Sequence, residues 1–274
     1  SGTGFEHFMQ SCFNTNDVYA GIYVSSTYYQ GDFDSLSNLS TGTWYHFTLT
    51  YDGETLLTYL DGVQTDSNTS PSGNLDAVYD FNIGALRASG SYSHFFGADI
   101  DDFRIYNRAL SVAEISNLNN QKKVSYKNID KTNLVGHWTF EDATGTDATD
   151  FSGNGNNGTL TNMDANTDWV TGKLGTALDF DGTNDYVDLG TLGNFGSSLN
   201  SHAISMWLSW SDGVTVMSPI GVEHTDDQQK SFIQVNKDGA GNDDAGEFRY
   251  YLRELGDTNA LSCGVDNHEL NNND

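Results

Sequence analysis

His94-Phe95-Phe96-Gly97-Ala98-Asp99-Ile100-Asp101-Asp102-Phe103-Arg104-Ile105-Tyr106-Asn107-Arg108-Ala109-Leu110-Ser111-Val112-Ala113-Glu114-Ile115-Ser116-Asn117-Leu118 is the stretch that decides the fold. Gly97 interrupts an aromatic run, which suggests a bend where a strand starts. Ile100, Phe103 and Ile105 read as its buried face. Their spacing departs from strict alternation, and this predicts a bulge at Asp101–Asp102. Residues 107–110 turn the chain. Ser111 is a favourable N-cap, and Glu114 three residues on completes a capping box, so a short helix follows with Ile115 and Leu118 facing inward.

Working outward, residues 44–51 alternate well. Asp52-Gly53 and Asp61-Gly62 carry the strongest hairpin signals of the chain. Trp44, at the head of that run, is expected to anchor the core of the first segment. Strand patterns recur at residues 81–86, 178–180, 186–189 and 203–210. Residues 119–133 differ, with four of the twelve basic residues (Lys122, Lys123, Lys127, Lys131) and few apolar ones, and they read as a linker. The expected organisation is 1–118, a linker at 119–133, and 134–274.

These pieces resemble the LamG-like jelly-roll modules of the concanavalin A-like lectin and glucanase superfamily. The strand, turn and short helix of residues 94–118 are similar to that family's closing signature. Trp44-Tyr45-His46-Phe47-Thr48-Leu49-Thr50-Tyr51-Asp52-Gly53, Tyr59-Leu60-Asp61-Gly62 and Phe81-Asn82-Ile83-Gly84 resemble the rest of its C-terminal half. Leu134-Val135-Gly136-His137-Trp138-Thr139-Phe140-Glu141 resembles its first strand, and Asp150-Phe151-Ser152-Gly153-Asn154-Gly155-Asn156-Asn157-Gly158-Thr159 its glycine-rich loop. Gly175-Thr176-Ala177-Leu178-Asp179-Phe180-Asp181-Gly182 and Tyr186-Val187-Asp188-Leu189 complete an N-terminal half. The C-terminal half therefore precedes the N-terminal half. The chain reads either as a window across two truncated tandem repeats or as one circularly permuted sandwich. In the second case the Trp138 strand should lie beside the Ile100–Tyr106 strand. The fold class is all-β, an antiparallel jelly-roll sandwich.

Twelve Lys plus Arg stand against 38 Asp plus Glu, for a net charge of -26. Such a surface repels nucleic acid and anionic lipid, so neither is an expected partner. No apolar run approaches the roughly 20 residues of a membrane-spanning helix. The chain reads as cut at both ends, so the absence of a signal segment is not taken as cytoplasmic location. Cys12 and Cys263 permit one disulfide, and neither lies in a Cys-x-x-Cys.

Asp99, Asp101 and Asp102 invite comparison with glucanases of the superfamily, which use a Glu-x-Asp-x-x-Glu strand. No Glu stands at either catalytic position here, so the chain is expected to be no enzyme. His46 and His137 sit within strands and read as packed residues. Calcium is the expected cofactor, because Asp150, Ser152, Asn154 and Asn156 place hard oxygens at alternate positions of a glycine-rich loop. Asp101 and Asp102 are its expected partners if the first and last strands are neighbours. The competing reading gives those Asn and Gly residues to turns. Aromatic rings stack on sugars, and of Trp207, Trp210, Tyr250 and Tyr251 the expected ligand-binding residues are Trp210 and Tyr250.

The resemblance implies an extracellular or cell-surface, non-catalytic recognition or adhesion module. Its expected partners are carbohydrate or an extracellular protein, together with neighbouring repeats of the same parent chain. The alternatives are an accessory module of a secreted polysaccharide-degrading enzyme and a structural spacer repeat.

Overall fold

The computed structural model describes residues 17–24, 27–35, 38–74, 78–88, 91–93, 95–121, 131–192, 201–210, 217–224 and 229–235. Cys12, Tyr250, Tyr251 and Cys263, and residues 122–130 of the expected linker, lie outside this set. The first segment forms β1 (Asp17–Val24), β2 (Thr27–Ser35), β3 (Tyr45–Tyr51), β4 (Leu56–Leu60), β5 (Val63–Asn68), β6 (Val78–Ile83), β7 (Leu86–Ala88), β8 (Ser91–Ser93), β9 (Asp99–Tyr106) and α1 (Val112–Asn119). The second forms β10 (Leu134–Trp138), β11 (Asp147–Ala148), β12 (Gly158–Thr161), β13 (Trp169–Thr171), β14 (Thr176–Asp179), β15 (Tyr186–Gly190), β16 (His202–Ser209), β17 (Met217–His224) and β18 (Gln229–Val235).

Local chemistry accounts for the turns. Asp61 and Gly62 both take positive φ, 49° and 77°, and close the two-residue loop of the β4–β5 hairpin. That twist suits the flanking strands. Asp52 Oδ1 accepts from the backbone N–H groups of Glu54 and Thr55, which shapes the longer β3–β4 loop. The Ser111 side chain caps α1 and Glu114 returns the bond, as the sequence predicts.

The protein is an all-β sandwich of antiparallel sheets. One sheet has the order β11-β12-β15-β6-β17-β18-β1-β2, and the other β13-β14-β9-β16-β3-β4-β5. Both draw strands from before and after residues 119–133. In the second sheet β16 takes one edge of β9. The opposite edge is shared: β14 pairs at Asp99 and Ile100, and β10 pairs along Phe103–Tyr106. The Trp138 strand thus lies beside the Ile100–Tyr106 strand. The outer edge of β2 is covered by polar side chains of the other sheet. Thr58 and Thr65 donate to the Asp32 carbonyl, Asn68 donates to the Gln30 carbonyl, and Asp66 accepts from the Asp32 N–H. An edge satisfied in this way offers less to a foreign strand.

The core fills the space between the sheets. Phe47, Leu49, Ile100, Phe103, Ile105, Ile204, Met206 and Leu208 face Val18, Ile22, Phe81, Ile83 and Val187. Trp138 is fully buried, 5.7 Å from Phe103 between ring centroids. A Cβ on Gly136 would stand 2.2 Å from the Trp138 ring, so only glycine allows that approach. A second cluster gathers Ile115 and Leu118 of α1 with Tyr59, Tyr106, Leu110, Leu134 and Ala203 on the outer face of the second sheet. Trp44 corrects the sequence reading. It precedes β3 and is only half-buried, whereas Phe47, Leu49 and Tyr51 enter the core.

Trp138→Ala should cost about 3–5 kcal/mol in urea melts, because it leaves a large cavity beside Phe103. Trp44→Ala should cost clearly less. A Trp44 variant as unstable as the Trp138 variant would contradict this assignment of the core.

Candidate functional site

The departure from alternation in β9 is a bulge. Asp101 pairs with Trp207 and Arg104 with Ser205, so Asp102 and Phe103 together oppose Met206. Asp102 takes φ 53°. This inserted residue returns Phe103 to the core while Asp102 and Arg104 meet on the outer face. Rows of cross-strand partners then form on that face. One runs His137–Arg104–Ser205–Thr48–Tyr59, the next Asp101–Trp207–His46, and the last Asp179–Asp99–Ser209.

The first row is a sealed ionic network. Arg104 Nη2 lies 2.8 Å from Asp102 Oδ2 and donates to Gln121 Oε1 at 2.7 Å. The His137 Nε2 atom is 2.7 Å from Asp102 Oδ1. Burial alone would raise the Asp102 pKa; the Arg104 guanidinium and His137 reverse this and hold it below the usual carboxylate value. Burial, with Arg104 nearby, lowers the pKa of His137. His46 Nε2 shares a hydrogen bond of 2.8 Å with Ser205 Oγ, and burial pushes its pKa down to about 3.

The second row closes over Asp101, whose Oδ2 accepts from the Leu174 N–H at 2.7 Å. Burial raises the Asp101 pKa to about 7. The turn that supplies Leu174 also places Lys173 Nζ 4.4 Å from the centroid of the Trp207 ring, a cation–π contact.

The third row opens into a cavity of about 380 Å³. Gly97, Asp99, Asp179, Phe180, Asp181 and Ser209 are among its lining residues. Asp99 and Asp179 are cross-strand partners on the same wall of the cavity. Burial, then the neighbouring Asp179, raises the Asp99 pKa to about 6. Burial, then Asp168, raises that of Asp179. Sequence reading missed Asp179 and Ser209. Alternation separates Asp179 from Leu178 and Phe180, but only the register of β14 and β16 on β9 brings these residues together.

The expected calcium residues are gathered differently. Asp150 Oδ1 accepts from the backbone N–H groups of His137 and Ser152, and its Oδ2 from the Ser152 hydroxyl and the Asn156 N–H. Asn154 and Asn156 turn their side-chain amides onto the Val135 carbonyl. Lys131 Nζ donates to the carbonyls of Phe151 and Ser152. Gly153 and Gly155 take φ 98° and 81°, so the glycines serve the turn. His137 stands between the two halves of the proposed set, bonding Asp150 through its backbone and Asp102 through its ring. Asp150, Asn154 and Asn156 thus share one loop, and Asp102 meets that loop through His137, while Asp101 is held by Leu174. Among the described residues no group of three or more His, Cys, Asp or Glu side chains could hold a metal. Trp210 also corrects the expectation of an exposed platform. It is 6 % exposed and stacks on Tyr45 at 5.7 Å, because β16 ends inside the sandwich. Tyr250 lies outside the described residues.

Residues 1–116 match the laminin-G-like family model of the concanavalin A-like lectin/glucanases superfamily. That segment is laminin-G-like. It contains β1–β9 and the capped start of α1. No curated protein and no solved structure matches the chain.

Two outcomes check this description. Asp150→Ala should lower the melting temperature by the same amount in calcium and in chelator, since the carboxylate holds a loop together; a loss confined to calcium buffer would restore the metal reading. The pH dependence follows from the buried histidines. His46 and His202 are neutral in the folded chain, with burial lowering both pKa values to about 3. The unfolded chain binds those protons near pH 6.5. Their contribution is present above that value and is lost as pH falls from 6.5 towards 3. Asp99 and Asp101 act in the opposite sense. Their folded pKa values of about 6 and 7 mean the folded chain keeps protons that the unfolded chain releases above about 4. Their cost therefore grows as pH rises through that window. His46→Gln isolates the first effect: the stability gap between wild type and variant should narrow from pH 6.5 to pH 4, and a constant gap would contradict a neutral buried His46.

Proposed function

We propose that this chain is an extracellular, non-catalytic recognition module that binds carbohydrate, a reading that the laminin-G-like match over residues 1–116 supports in its general form as a carbohydrate- or protein-binding module. The observation that carries this reading is the division of labour among the carboxylates of the outer face. Asp101 and Asp102 are 0 % and 2 % exposed and are engaged by Leu174, Arg104 and His137. Glycoside hydrolysis needs two carboxyls that reach the scissile bond, one to protonate and one to attack or activate water. These two are tied down by structural bonds. The carboxyls of the third row instead line an open cavity of sugar-ring scale. An acidic surface of net charge -26 turns away nucleic acid and anionic polymers and leaves neutral glycans as suitable ligands. Calcium takes no part in this proposal.

A glycan array probed with the purified chain tests it. Binding to at least one class of neutral glycan, unchanged in chelator, is the expected result. The absence of any glycan binding would sink the reading, and release of reducing sugar from β-glucan would replace it with an enzymatic one.

A further inference from the structure

The row Asp179–Asp99–Ser209 is built from three strands that approach from different parts of the chain. Asp99 on β9 is the register partner of Asp179 on β14 on one side and of Ser209 on β16 on the other. All three line one cavity. Antiparallel partners place their Cβ atoms about 4.5–5.5 Å apart, so the tips of Asp99 and Ser209 can bracket two adjacent hydroxyls of one ring. Ser209 is 5 % exposed and lines the cavity, where its hydroxyl can donate to or accept from a ligand hydroxyl.

We propose that this row is a subsite for one uncharged sugar residue, held through two neighbouring hydroxyls by Asp99, Asp179 and Ser209. The proposal rests on the glycan-binding reading above and adds the location and charge of the ligand. Asp99 and Asp179 are register partners on one wall, and burial with the neighbouring carboxyl raises the Asp99 pKa to about 6. A protonated carboxyl beside an ionised one offers a donor and an acceptor, which suits a hydroxyl. Asp181 on the same wall disfavours an anionic sugar. The cavity, about 380 Å³, falls at the lower end of the range of small-ligand pockets.

The test compares the full chain with Ser209→Ala and Asp179→Ala on an array of neutral and uronate-bearing glycans, with melting temperatures taken alongside. Wild type should bind neutral glycans, and each variant should bind them about tenfold more weakly at an unchanged melting temperature. Should Ser209→Ala fold poorly, Ser209→Cys keeps the volume, removes the hydroxyl and should show the same loss. Undiminished binding by folded variants overturns the subsite and leaves the glycan reading standing. A wild type that binds no glycan overturns both. Titration with calcium chloride separates the remaining case: heat of binding that Asp179→Ala abolishes would overturn the sugar assignment in favour of a cation.

Discussion

Two opposite charges sit in the second sheet without access to water. Arg104 is fully buried and Asp102 nearly so, and either charge without the other would be costly there. Their contact at 2.8 Å, supplemented by His137 and Gln121, makes the arrangement tolerable. It also ties together several elements. Asp102 and Arg104 belong to β9, His137 to β10, and Gln121 follows α1. Breaking the pair would strand a charge under the helix and beside the first strand of the second segment. The bulge at Asp102 reconciles this contact with the core, since in an unbulged strand Ile100 would face opposite to Phe103 and Ile105.

The same face shows how polar groups in one sheet acquire different uses. Where α1 covers it, the side chains are apolar and the helix packs flat. One row away, histidines, arginine and aspartate pay for burial by bonding one another. At the uncovered end, Asp99, Asp179 and Ser209 face a cavity. Chemically similar carboxyls thus diverge through their surroundings. Asp102 is held ionised by a guanidinium, while burial and a second carboxyl push Asp99 towards protonation. Of the three carboxyls that invite comparison with glucanases, Asp101 and Asp102 are held by structural bonds, whereas Asp99 lines the cavity.

The glycine-rich loop after Trp138 makes a similar point. Its oxygens are numerous, but the loop supplies its own donors. Two asparagine amides, a serine hydroxyl and several backbone N–H groups satisfy Asp150 and the Val135 carbonyl. The Lys131 ammonium lies against two further carbonyls.

The sequence by itself determined what is local along the chain. Alternation, the Asp52-Gly53 and Asp61-Gly62 turns, the Ser111–Glu114 cap and the irregular spacing in β9 are set by backbone geometry over a few residues, and all are present in the structure. The order of the family-like pieces also showed which strands should be neighbours. Only the tertiary structure decided which side chains share an environment. Trp44 and Trp210 exchanged their expected standing, because burial depends on what the opposite sheet and the ends of the strands present. The row of Asp179, Asp99 and Ser209 was invisible in one dimension, because its members meet only through the register of three strands drawn from distant parts of the chain. A side chain's charge, partners and access to solvent are properties of that assembled surface, and no short window of sequence contains them.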